Sequence, residues 1–261
     1  HRRSSAASDV YKRQLLTLLC VFSFTELTFA DDHVNGTWVA AEYYFCNFNE
    51  GQDMDDLKRV AAEFNRFLDK YRDVGDYDAV LLVETYDQDR DFDYIWSGHW
   101  PSIADMANGT QNWIDNGSAL QAKFDKVSKC DGIRGYQYIY ANSAPDGDAW
   151  PVDYSYCKLN DGKESMDAIK LMDKIAETTK ADGAKGGGRL FFRTHGSTNE
   201  APYDFVLVDS PGSFANEAVN WQLARENDWW GQFGEEVEAT MECSDDAVRY
   251  IGTYLTDPLA Q

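Results

Sequence analysis

The chain states one pattern twice, and its cysteines mark it. Cys46 and Cys130 lie 84 residues apart, and Cys157 and Cys243 lie 86 apart. Each first cysteine ends an aromatic stretch opened by a tryptophan: Trp38-Val-Ala-Ala-Glu-Tyr-Tyr-Phe-Cys46 and Trp150-Pro-Val-Asp-Tyr-Ser-Tyr-Cys157. Each is followed by Asn-acid-Gly (Asn49-Glu50-Gly51; Asn160-Asp161-Gly162) and then a Met-Asp step (Met54-Asp55; Met166-Asp167). A repeat of about 110 residues is too long for a solenoid unit and is the size of a small domain. Two domains of like architecture are therefore expected, over 31–141 and 150–261. The turn-rich stretch 142–149, which contains Pro145, Asp146 and Gly147, joins them.

What precedes residue 31 is expected to lie outside the fold. Ser4–Gln14, SSAASDVYKRQ, reads as a translated sequencing adapter, so residues 1–14 are set aside. Leu15–Phe24 is an apolar run of ten, too short to span a bilayer and suited to the core of a truncated signal peptide over 15–30. Thr28-Phe29-Ala30 supplies a small-x-small cleavage site. Cys20 follows Leu19 rather than the small residue that a lipoprotein signal needs. Cleavage leaves four cysteines, an even number in an exported chain, which favours disulfides over metal ligands. There is no C-x-x-C to hold a zinc ribbon. A periplasmic or secreted location follows as an expectation.

The net charge is −21, and removing residues 1–30 takes it to −23. Such a surface repels nucleic acid phosphates and anionic lipid. No nucleic acid partner is expected, and no membrane contact after signal cleavage. A small molecule remains as the partner class.

The first half reads as strand, helix, strand, strand, helix, strand. Glu42–Asn49 is aromatic and apolar on both faces. Asp53 or Asp55 caps a helix whose stripe is Leu57, Val60, Ala61, Phe64, Phe67, Leu68 and Tyr71. Tyr77–Tyr86 and Asp91–Ser97 are strands. Ser102 and Asp105, in capping-box spacing, open a second helix that breaks near Asn108-Gly109, and Ile133–Ala141 is the last strand. The second half follows. Asp153–Asn160 is a strand, and Ser165 caps a helix bearing Ile169, Met172, Ile175 and Ala176. Arg189–Thr194 and Asp204–Asp209 are strands, Gly212-Ser213 opens a helix, and Ala247–Thr256 closes. The insert Lys180–Gly188 is rich in Gly, Ala and Lys and reads as a flexible loop.

This βαββαβ order is the split βαβ, or ferredoxin-like, pattern, and its sheet has one helix-covered and one bare face. Packing two bare faces together removes both from water. In element order and duplication, over residues 36–257, the chain resembles the dimeric α/β-barrel superfamily, which includes antibiotic-biosynthesis monooxygenase-like and NIPSNAP-like proteins. The fold class expected is α+β: two tandem ferredoxin-like repeats packed sheet to sheet as an intrachain pseudo-dimeric α/β barrel, monomeric in solution. In a split βαβ sheet the first and fourth strands are antiparallel neighbours, which predicts disulfides Cys46–Cys130 and Cys157–Cys243.

Candidate chemistry lies where the halves differ. His99, in Trp96-Ser-Gly-His-Trp100, is placed at a turn between strand and helix, with Trp96 and Trp100 as apolar walls for a ligand. The competing account is a packed turn whose tryptophans are core. Arg193 and His195 end a strand at the place that Glu84 occupies in the first half. These charges either pair structurally or line a cavity, where Arg193 suits a carboxylate or enolate and His195 a general base. His99, His195 and Arg193 are thus the catalytic candidates, and Trp96, His99, Trp100, Glu84 and Arg193 the ligand-binding ones. No two of His33, His99 and His195 have metal-ligand spacing, so no metal and no cofactor are expected.

Three functions are open. The first is a binding protein for a small apolar or aromatic ligand. The second, which the resemblance permits, is a cofactor-free monooxygenase- or isomerase-like enzyme. The third is haem binding, because chlorite-dismutase-like and dye-peroxidase-like proteins are also tandem ferredoxin-like. Those proteins use a histidine on a helix, and none of the three histidines here is predicted mid-helix.

Overall fold

Alternation of aromatic and small residues builds β1 (Thr37–Phe48), whose even-numbered residues face helices and whose odd-numbered residues face the opposite side. This is a computed structural model, and it describes residues 34–74, 76–86, 91–196 and 202–256. The adapter and signal-peptide readings, and His33, fall outside those residues. The chain continues through α1 (Met54–Lys70), a 3₁₀ turn (Arg72–Val74), β2 (Asp78–Glu84), β3 (Tyr94–Trp100), α2 (Ile103–Asn116), α3 (Ser118–Val127) and β4 (Ser128–Ala141). Then come β5 (Trp150–Leu159), α4 (Ser165–Ala181), β6 (Gly187–His195), β7 (Phe205–Ser210), α5 (Phe214–Glu226), α6 (Trp229–Thr240), β8 (Met241–Cys243) and β9 (Val248–Tyr254). From Asn35 on, the described residues form one compact unit.

The strands make one antiparallel sheet in the order β7-β6-β4-β1-β3-β2-β9-β5, and pairing of β7 with β5 closes it into an eight-stranded barrel. Strands β8 and β9 lie end to end along the same edge of β5. The sheets of the two halves are therefore joined at both edges, β4 to β6 and β2 to β9, and not only packed face to face. Closure gives each of these eight strands two neighbours. Within it, one half runs β4-β1-β3-β2 and the other β9-β5-β7-β6.

Two apolar cores result. One fills the barrel: Ala41, Tyr43, Val80, Leu82 and Ile95 meet Trp150, Val152, Tyr154, Phe191, Val206, Val208, Val248 and Tyr250. The other lies between the first four strands and their helices, and takes Leu57, Val60, Ala61 and Phe64 from α1. Asp53 caps α1 by accepting from the amides of Asp55 and Asp56, as its position suggests. Asp173 of α4, nearly buried, ties the halves together by accepting from the Tyr138 hydroxyl at 2.7 Å and the Asn35 amide at 3.0 Å.

The disulfides are Cys46–Cys130 and Cys157–Cys243, each joining residues directly opposite in an antiparallel ladder. Two sequence expectations need correction. The second helix does not break at Asn108-Gly109; it runs to Asn116 and stops at Gly117. Gly109 is there for space, because a Cβ on it would collide with the Trp100 ring. The insert 180–188 is shorter as a loop than expected, since α4 reaches Ala181 and β6 begins at Gly187. Asn220 clamps that loop, accepting from the Lys185 amide at 2.9 Å and donating to its carbonyl at 2.7 Å. No helix among the described residues is long and apolar enough to cross a membrane.

Candidate functional site

Alternation along β3 separates the residues of the Trp96–Trp100 motif. Trp96 and Trp100 point to the helices, while Ser97 and His99 point into the barrel. His99 is thus a strand residue and not a turn residue, because the ladder with β1 continues through His99 to Trp100. Gly98 lies on the helix side, where a Cβ would strike the Tyr77 ring.

Beneath α1, α2 and α3 the helix-facing side encloses a cavity of about 560 Å³, within the range of small-molecule sites. Phe64, Phe67, Tyr77, Trp96, Trp100, Trp113 and Phe124 supply its aromatic wall. Phe64 packs edge-on against Trp96 and Trp113 with ring centres 5.5 and 5.6 Å apart. The Trp100 indole N–H is buried with no hydrogen-bond partner among the described residues.

The cavity also holds a buried polar group. Glu42, 8% exposed, stands opposite Arg134 in the β1–β4 register. It accepts from Arg134 Nη2 at 3.1 Å, from the Tyr44 hydroxyl at 3.1 Å and from the Tyr77 hydroxyl at 3.4 Å. Trp96 Nε1 in turn donates to the Tyr77 oxygen at 2.7 Å. Burial and the Glu42 charge push both tyrosine hydroxyls well above their ordinary range, so they stay protonated and act as donors. Arg134 Nη2 also donates to Thr110 Oγ1 at 3.3 Å. Arg134 also lies beside the Tyr44 hydroxyl, and its side chain keeps 35% exposure.

The second half carries a matching pair in a different state. Asp153 stands opposite Arg249 in the β5–β9 register. Arg249 Nε and Nη2 donate to the two Asp153 oxygens at 2.7 and 2.6 Å, and Nη2 also donates to Glu217 at 2.6 Å. That guanidinium is clamped along its Nε–Nη2 edge by two carboxylates, which hold its pKa up. Sequence reasoning missed both pairs. The available signal was an acid four residues before the first cysteine of each half, Glu42 and Asp153, in stretches otherwise aromatic or apolar.

The remaining predicted residues do not converge on this cavity. Arg193 donates from Nη2 to the Tyr203 carbonyl at 3.2 Å and lies over the Tyr203 ring at 3.9 Å. His195 is exposed and bonded to Thr194. Glu84, at the end of β2, lies opposite Tyr250 in the ladder with β9. Inside the barrel, His99 Nδ1 bonds Asp78 at 3.0 Å, and its Nε2 lies 3.1 Å from Ser97 Oγ and 3.3 Å from Arg189 Nη1. Burial pushes the Asp78 carboxyl up, but the His99 hydrogen bond and the charges of His99 and Arg189 outweigh it and hold it low. The Asp78–His99–Ser97 sequence has the contacts of a nucleophile triad, yet Ser97 is only 1% exposed and no substrate reaches it. Among the described residues no three His, Cys, Asp or Glu side chains gather as a metal site.

No protein-family model matches the chain, and no curated protein matches it. Solved structures do. A putative monooxygenase from Lactobacillus acidophilus NCFM is 11% identical with a TM-score of 0.52, covering 84% of this chain and 95% of its own. A putative monooxygenase from Fusobacterium nucleatum is 10% identical with a TM-score of 0.53, covering 85% and 94%. A chlorite dismutase mutant from Candidatus Nitrospira defluvii is 10% identical with a TM-score of 0.48, covering 83% and 92%. The likeness to the two monooxygenases is one of fold: an α+β chain with a closed antiparallel barrel and helices outside. No described histidine is placed to hold a haem from a helix. The described histidines, His99 and His195, both lie on strands, one bonded inside the barrel and one exposed.

Proposed function

We propose that this chain is an exported, disulfide-stapled barrel that binds a small apolar or aromatic ligand in the helix-covered cavity of its first half. One observation carries the reading: Arg134, held by a single carboxylate and 35% exposed, stands at an aromatic cavity, whereas the equivalent Arg249 is clamped by two carboxylates. Trp96, Trp100 and Trp113 grip the ring, and Arg134 with the orphan Trp100 N–H receives an acceptor atom on the ligand. Of the ligand-binding residues expected from sequence, Trp96 and Trp100 keep that role, while His99, Glu84 and Arg193 do not line this cavity.

The halves 31–141 and 150–261 are read as copies of one ferredoxin-like unit, making a monomeric pseudo-dimer. The like strand orders, the matching disulfides and the acid–arginine pairs at equivalent registers support this. The disulfides and the apolar run Leu15–Phe24 support export to the periplasm or beyond.

A second reading, a cofactor-free monooxygenase- or isomerase-like enzyme, is favoured by Glu42, a carboxylate placed to take a proton from a bound ring. A panel of aromatic acids, phenols and quinones tests both readings through quenching of tryptophan fluorescence. Trp100→Leu and Arg134→Met are each expected to weaken the best ligand about tenfold or more, the worth of one aromatic or charge-assisted contact. Binding unchanged in both variants removes the site. Turnover of a bound ligand that Glu42→Gln abolishes selects the enzyme reading.

A further inference from the structure

Near one end of the barrel interior Asp78, His99, Arg189 and Gln137 meet. Asp78, His99 and Arg189 line an open groove of about 1450 Å³, which runs from this end of the barrel to the helix-covered face of the second half. An arginine has no acceptor, so in the neutral imidazole the contact from Arg189 Nη1 takes His99 Nε2 as acceptor and leaves Nδ1–H to donate to Asp78. The same Nη1 reaches Gln137 Oε1 at 3.5 Å, and Gln137 Nε2 donates onward to the Tyr43 hydroxyl. Both bonds of Arg189 leave from Nη1. Its Nε and Nη2 make no hydrogen bond to any described residue, and it forms no ion pair within 4.0 Å with a described carboxylate.

An arginine presents two parallel N–H groups along that edge, matched to the two oxygens of a carboxylate. Its first edge is fixed by His99 and Gln137, so the free edge is held in place before any ligand arrives. A singly charged anion is favoured. Asp78, Asp173 and Asp209 line the same groove, with Asp153 and Glu217 paired to Arg249, and the net negative field penalises a dianion more than a monoanion. Ile139, opposite Arg189 in the β4–β6 register, and Val39, opposite Gln137 in the β1–β4 register, also line it and offer apolar surface to the body of the ligand.

We infer that the barrel mouth is a second binding site, which takes a small monocarboxylate with an apolar body on the free edge of Arg189. This goes beyond the ligand reading above and does not rest on it. The test uses the full oxidised chain, sodium benzoate as probe and long-range ¹H–¹⁵N spectra of histidine side chains, with the His99 signals assigned through His99→Gln. Benzoate is expected to shift the His99 Nε2 signal saturably, and Arg189→Lys to weaken that effect about tenfold or more, because an ammonium lacks the paired donors. Arg189→Gln is expected to abolish it. Arg134→Met is expected to leave it unchanged, which separates this site from the first-half cavity. Inorganic phosphate is expected to shift the signal less at equal concentration. The inference is overturned if a folded chain shows no saturable His99 shift, if the shift survives Arg189→Gln, or if phosphate matches benzoate. It is overturned equally if Arg189→Lys binds as wild type.

Discussion

Replacing Cys46 and Cys130 by alanine is expected to lower the unfolding free energy by ~4 kcal/mol, and the same change at Cys157 and Cys243 by a similar amount. Each bridge closes a long loop, 84 residues in one half and 86 in the other, and the chain-entropy argument gives ~4 kcal/mol for a loop of that size. A domain holds only about 5–15 kcal/mol in total, so losing both bridges is expected to leave the chain largely unfolded at 37 °C. Urea titrations of the oxidised chain and of each variant measure this. The variants also differ in a second respect. Cys46 and Cys130 line the aromatic cavity, so removal of that pair is expected to weaken ligand binding, and removal of Cys157–Cys243 to spare it. A loss below about 1 kcal/mol for either pair would mean that the ladders hold the chain ends together without the bridges.

An isolated first half, residues 35–141, is expected not to persist as a monomer. In the whole chain β4 pairs with β6 and β2 with β9, so cutting the chain bares both edges of a four-stranded sheet. It also exposes Ala41, Tyr43, Val80, Leu82 and Ile95, the half-contribution to the barrel core. Tyr138 loses Asp173 as well. The fragment is expected to dimerise through the bared face or to aggregate, and light scattering after gel filtration distinguishes these from a monomer. A stable, monodisperse monomer would contradict the shared core.

The sequence revealed the architecture more readily than the site, for physical reasons visible in single residues. The cysteines, the turn triplets and the stripe from Leu57 to Tyr71 repeat at fixed spacing, and local periodicity carries element order. From that order the first and fourth strands become neighbours, so the disulfide pairing was legible. Joining at both edges was not, because β4–β6 and β2–β9 pairing depends on how two twisted sheets close, which no local pattern encodes. Ending the strand at Ser97 puts His99 in a turn. Continuing the alternation to Trp100 puts both tryptophans on one face and His99 on the other, and Pro101 supplies the stop. Gly109 reads as a helix break from sequence alone, yet it clears space for the Trp100 ring. Arg193 drew attention as the asymmetric charge. Arg189, four residues earlier on the same side of β6, sat at the end of the glycine-rich insert and went unread.

The most direct test of the account is a crystal structure of the full oxidised chain soaked with the tightest aromatic ligand from the fluorescence panel. The account predicts ligand density beneath α1, α2 and α3, with its ring among Trp96, Trp100 and Trp113 and an acceptor atom within hydrogen-bond distance of Arg134. Ligand density elsewhere, with the aromatic cavity closed by its own side chains and Arg134 turned to solvent, would contradict it.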